Sequence, residues 1–162
     1  MGPLGETVLV GMAALVQQIL LSAHLPAVHR YVDLYLIVVV YISITRSQGH
    51  ALLMGAGTGL LQDLFTQSLF GVNGFCKCLL AFLISGLSAR FMLNQPLPQF
   101  GSLLIGTLAE FGIAWALLAT LGQKVADPIV LQRAPANGVA GLLLIALFNR
   151  LAGRRPGADD LR

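Results

Sequence analysis

Charge is what this sequence has least of. Asp, Glu, Lys and Arg make up 10% of its 162 residues, against about 25% in a soluble domain. A small soluble protein has proportionally more surface to cover, so it should not carry fewer charges than average. With 56% apolar residues and a mean hydropathy of +0.80, that shortage excludes an ordinary water-soluble globule and a disordered chain, and an integral membrane protein is expected. Cysteine is also scarce. Cys76 and Cys78 lie inside an apolar run and build no disulfide framework. Two residues apart on a helix they point about 200° away from each other, so they do not converge on a metal. The three histidines, His24, His29 and His50, fall in polar breaks and form no His-Glu-x-x-His pattern. Gly86-Leu87-Ser88 is not a nucleophile elbow, which needs a strand-to-helix turn and partner residues. No catalytic, cofactor-binding or metal site is expected. The net charge of +3 comes from basic residues scattered singly, with one cluster at the C-terminus. That pattern reads as a topology signal and not as a nucleic-acid patch; lipid, not nucleic acid, is the expected surrounding.

What is present is a series of six apolar segments, at about 7–23, 33–45, 51–66, 71–92, 101–121 and 134–151. They predict a single all-α transmembrane domain over residues 1–151, a six-helix bundle, followed by a short basic tail, 152–162. Residues 1–7 carry Glu6 and no Lys or Arg, so the first segment reads as a retained helix and not a cleaved signal. The second and third segments span only roughly 20 to 24 Å at helical rise, less than the ~30 Å hydrocarbon core. They thin the bilayer locally, borrow residues from their loops, or form one re-entrant hairpin. Arg46-Ser47-Gln48-Gly49-His50 reads as a tight polar turn, Asn94-Gln95-Pro96-Leu97-Pro98 as a helix stop, and 122–135 as the longest loop. With six spans and a cytoplasmic N-terminus, Arg46, Arg90, Arg150, Arg154, Arg155 and Arg162 fall on the inner side. Arg30, Lys124 and Arg133 fall on the outer side, with Lys77 buried near it. The inner excess places both termini in the cytoplasm.

Two features of the segments stand out. Gly55-Ala56-Gly57-Thr58-Gly59 lacks the strand and lysine of a phosphate loop and sits in an apolar helix. Gly55 and Gly59 form instead a GxxxG ridge that lets another backbone approach. Asp63 is one turn further, so the three lie within roughly 80° on one helix face, which should point at protein. Asp63, Lys77 and Glu110 are ionisable residues at membrane depth, where each costs at least ~2.5–3.5 kcal/mol to insert. The depths of Asp63 and Lys77 match, which predicts an Asp63–Lys77 pair. Glu110 lies mid-segment one turn from Gly106. The trio reads either as staples of the bundle or as a substrate site, with Gln17 and Gln18 as the polar additions.

The run Asp33 to Tyr41 is followed by a basic turn at Arg46, then Gly55, Gly59-Leu60-Leu61-Gln62-Asp63 and the turn Leu69-Phe70-Gly71-Val72-Asn73-Gly74. This order resembles the rod shape-determining protein MreD family: a short apolar helix, a basic turn, a Gly-rich helix ending in Gly-Leu-Leu-x-Asp, and a Leu-Gly-x-Asn-type turn. Tyr31-Val32-Asp33 stands where the family usually carries Pro-Asp or Pro-x-Leu, and Lys77 departs from the family pattern. The resemblance implies a non-enzymatic component of the bacterial cytoplasmic membrane. It would bind MreC and, through it, join MreB, the RodA glycosyltransferase and its penicillin-binding transpeptidase, organising lateral peptidoglycan synthesis in rod-shaped cells. It also implies a fold similar to the substrate-binding subunits of energy-coupling-factor transporters, which by itself transfers no ligand. Gly55, Gly59, Asp63, Gly71 and Asn73 are then the candidate helix-packing or partner-binding residues. The rival from another class is a small-molecule-binding transport subunit, with Glu110, Asp63 and Gln17 lining a cavity. A membrane enzyme ranks last.

Overall fold

The computed structural model describes residues 31–66, 70–89, 95–122 and 130–151, together with Gly5, Met12 and Val16. Apart from Met12 and Val16 the first apolar segment, 7–23, lies outside the described residues, as do Gln17, Gln18, Arg30, Lys124 and the tail 152–162. The described residues are all-α, with five helices: α1 (Leu34–Thr45), α2 (Gln48–Thr66), α3 (Val72–Ser88), α4 (Pro96–Thr120) and α5 (Val130–Leu151).

Helix α1 is the centre of the bundle. Asp33 caps it, its Oδ1 accepting the Leu36 N–H at 3.1 Å. Every residue from Tyr35 to Ser43 is buried, so the helix is enclosed on all sides. A helix that is apolar all round has no solvent face to keep polar. The run Ile37-Val38-Val39-Val40 would favour a strand by propensity; enclosure by the other helices overrides that preference. Leu36, Ile37, Val38, Val40, Tyr41 and Ile42 pack with Leu80 and Ile84 of α3, Leu103 of α4 and Ile145 of α5. Hydroxyls in these helices bond back to their own backbone, as Ser43 does to Val39 O at 2.7 Å and Thr107 to Leu103 O at 2.8 Å. That satisfies a buried polar group without a partner helix.

Several helix ends differ from the hydropathy reading. Only Arg46 and Ser47 separate α1 from α2; Gln48, Gly49 and His50 are the first turn of α2 and not part of the turn. Helix α3 ends at Ser88, short of Met92. Helix α4 starts at Pro96, ahead of Gly101, because a proline in the first turn forfeits only an N–H that has no helical partner there. Helix α5 starts at Val130 and carries Pro135 inside it, so Arg133 is helical and not in an outer loop. Among the described residues, Leu97–Thr120 is long and apolar enough to cross a membrane; Leu34–Thr45, Val72–Ser88 and Leu131–Leu147 are shorter apolar helices. The exterior is apolar as well. Leu53 and Leu64 of α2, Phe75 and Phe82 of α3, Ile105 and Trp115 of α4, and Leu143 of α5 are all exposed, a surface fit for lipid contact.

Candidate functional site: a buried charge cluster beside a polar cavity

The most closely packed pair of helices is α2 and α3, and its glycines explain how the backbones approach. A Cβ on Gly55 would lie 2.7 Å from the Lys77 carbonyl oxygen and 3.0 Å from Ala81 Cβ. One on Gly59 would run into the Asn73 carbonyl. Asp63, one turn on, is also buried, at 2% exposure. Ahead of α3, Gly71 takes φ 98°, the left-handed conformation that suits glycine. This presents the free N–H groups that open α3 to the end of α2. The Asp63 carboxylate accepts from Gly71 N at 2.8 Å, Asn73 N at 3.2 Å, Gly74 N at 3.3 Å and Asn73 Nδ2 at 2.8 Å.

Lys77 is fully buried, and it is held by Asp33 and Glu110. Its Nζ donates to Asp33 Oδ2 at 3.4 Å and to Glu110 Oε1. The expected Asp63–Lys77 pair is therefore corrected. First-turn N–H groups have no helical partner, and in an apolar surrounding they claim the nearest carboxylate, which is Asp63. Lys77 starts a turn further along α3 and reaches the cap of α1 and the middle of α4 instead.

Around this ammonium the structure gathers polar residues that hydropathy alone did not single out. Gln62 Nε2 donates to Asp33 Oδ2 at 3.3 Å. The Asp33 backbone N–H donates to Asn137 Oδ1 at 2.7 Å, and Asn137 Nδ2 donates to Thr107 Oγ1 at 3.2 Å. These bonds join the start of α1 to α2, α4 and α5. The available signal was the presence of Gln62 and Asn137 inside apolar segments, where a polar side chain must find a partner. Asp33, read from the sequence as the edge of a segment and part of the family resemblance but not as a site residue, is the hub.

Next to the cluster is a cavity of about 160 Å³ lined by Asp33, Gln62, Asn73, Thr107, Glu110, Phe111, Ala114, Arg133 and Asn137. Glu110 lines it as the rival sequence reading expected; Asp63 is used up in the turn, and Gln17 lies outside the described residues. Two buried polar atoms near Asp33 lack a hydrogen-bond partner among the described residues, Tyr35 Oη and Gln62 Oε1. Among the described residues no three His, Cys, Asp or Glu side chains group as metal ligands. Cys76 is buried and Cys78 half-buried, both as free thiols.

Comparison with known proteins adds one finding. No curated protein and no solved structure matches the chain. The family model described as rod shape-determining protein MreD matches residues 6–150. The match takes in the Gly55–Asp63 face, the Gly71 turn and the Lys77 cluster together. With most of its length inside that match, this chain belongs to the MreD family of rod shape-determining proteins.

Proposed function

We propose that the protein is a non-enzymatic scaffold of the bacterial elongation machinery, spanning the cytoplasmic membrane several times with both termini inside. The observation that carries this reading is the family match over residues 6–150; the family is one of shape determination and membrane association. In this reading the first apolar segment supplies a sixth helix, and the protein binds MreC. Through MreC it meets the RodA–transpeptidase pair and MreB, and so helps direct lateral peptidoglycan synthesis.

The geometry supports a rigid framework. Asp63 locks the α2–α3 turn, Gly55 and Gly59 hold the two backbones together, and Lys77 ties α3 to α4 and to the start of α1. Such a bundle presents constant apolar outer faces on which another transmembrane helix can pack. The likeness to energy-coupling-factor subunits has no matching solved structure behind it and contributes nothing to this proposal.

The test is purification of the tagged protein from its native membranes in mild detergent, with identification of what accompanies it. Recovery of MreC, with RodA and its transpeptidase in substoichiometric amounts, is the expected result. Recovery of an ATPase pair and a coupling subunit, with no MreC, would overturn the scaffold reading.

A further inference from the structure

We infer that the cavity beside Lys77 is a water-filled inlet. It binds a cluster of waters, opens at the end of the bundle where α1, α3 and α5 begin, and brings solvent to charges at membrane depth. This goes beyond the scaffold role, and it holds whichever side of the membrane that end faces.

The lining is the first observation. All of the lining residues except Phe111 and Ala114 are polar or charged, whereas the outside of the same helices is apolar. Apolar cavities stay dry, and a polar cavity with room for water holds it. The volume of about 160 Å³ corresponds to about five waters at ~30 Å³ each. Exposure is the second observation. Lys77 is shut off completely, while the side chains of Asp33 and Glu110 keep 23% and 14% of their surface. Both carboxylates line the cavity, and Glu110 is in the middle of α4. Carboxylate surface at that depth is stable facing a water-filled cavity and costly facing lipid.

The position of the opening follows from the elements. Asp33 caps α1, Asn73 is in the first turn of α3 and Arg133 in the first turn of α5. Thr107 and Asn137, both buried, close the other side. Charge selects the occupant. Asp33 and Glu110 are held by Lys77, and Arg133 acts on Glu110 electrostatically. Two carboxylates therefore stand against two cations, and an added ion would bring charge that nothing offsets. A lipid chain would offer the carboxylates no hydrogen bond. Water is neutral, donates and accepts, and fits the volume.

The test compares faces of α4 in nanodiscs, where both ends of the bundle meet the buffer. In a chain with Cys76→Ala and Cys78→Ala, single cysteines are placed at Ala114, which lines the cavity, and at Leu108 and Trp115, which are exposed on the outside. A small water-soluble methanethiosulfonate reports on hydration, because it reacts with the thiolate and a thiol ionises where water reaches it. Ala114→Cys should react at least about tenfold faster than either outside cysteine. A rate at Ala114→Cys as slow as at Leu108→Cys means a dry or lipid-filled cavity and overturns the proposal. A rate equal to that of Trp115→Cys means that the helix end is simply wet, and overturns it too.

A second measurement needs no substitution. Hydroxyl-radical footprinting of the unmodified chain in the same nanodiscs should oxidise Phe111, which lines the cavity, and spare Phe82, which is exposed on the outside of α3. Protection of Phe111 to the level of Phe82 overturns the inlet whatever the cysteine variants do.

Discussion

Asp63 and Lys77 sit on the two most closely packed helices and serve different ends: Asp63 holds the turn that starts α3, and Lys77 ties α3 to Asp33 and Glu110. The first is a local closure, the second a long-range one. Together they divide the stabilising charge of the described bundle between a corner and a centre, and each half can be tested by itself.

Replacing Lys77 with Met strands two carboxylates in an apolar interior. Removing one partner of a buried ion pair typically costs 3–5 kcal/mol, and a loss of about that size is expected in detergent unfolding titrations. The double variant Lys77→Met with Glu110→Gln should recover part of it, since one of the stranded charges is gone. Equal stability of the single variant and the parent would remove Lys77 from its central role.

At Asp63 the contrast lies between Asn and Leu. Asn keeps one acceptor oxygen for the Gly71–Gly74 donors, whereas Leu leaves all four bonds unmade. Hydrogen bonds to a charged group contribute about 1.5–3 kcal/mol each and are not additive. Asp63→Leu should therefore lose at least about 3 kcal/mol, and Asp63→Asn clearly less. In the scaffold reading Asp63→Leu also weakens recovery of MreC, measured in the same purification.

Glycine substitutions on α2 should have opposite signs on opposite faces. Gly59→Ala drives a methyl into the Asn73 carbonyl, with an overpacking penalty of about 1–3 kcal/mol. Gly57 has open space around its Cβ direction, so Gly57→Ala should stabilise by about 0.5–1 kcal/mol through helix propensity. Thermal unfolding of the two variants side by side checks the packing face directly.

Tyr35→Phe removes a buried hydroxyl that has no partner among the described residues. Deleting an unsatisfied polar group of the same shape is nearly neutral or stabilising. The midpoint should stay level or rise; a drop of more than about 1 kcal/mol would show that the hydroxyl has an occupant to bond.

The class of the molecule and the approximate place of each described helix are legible in the sequence. A shortage of charge and the apolar runs dictate an all-α membrane protein, because burial in lipid or in a helix core is the only place such segments are stable. The order of residues from Asp33 to Asn73 carried the family resemblance, and the Gly55–Gly59–Asp63 spacing marked one face of α2. Helix ends were less legible at Pro96, which opens α4 where a missing N–H costs nothing, and at Pro135, which lies inside α5. The partners of the buried charges are set by how the helices pack. Depth along a helix is readable from numbering, whereas direction around it is set by how neighbouring helices are rotated and how close glycine lets them come. That rotation gives Asp63 to the turn and Lys77 to Asp33 and Glu110. It also brings Gln62, Arg133 and Asn137 from distant segments around one cavity, a convergence that spacing within any single helix does not contain.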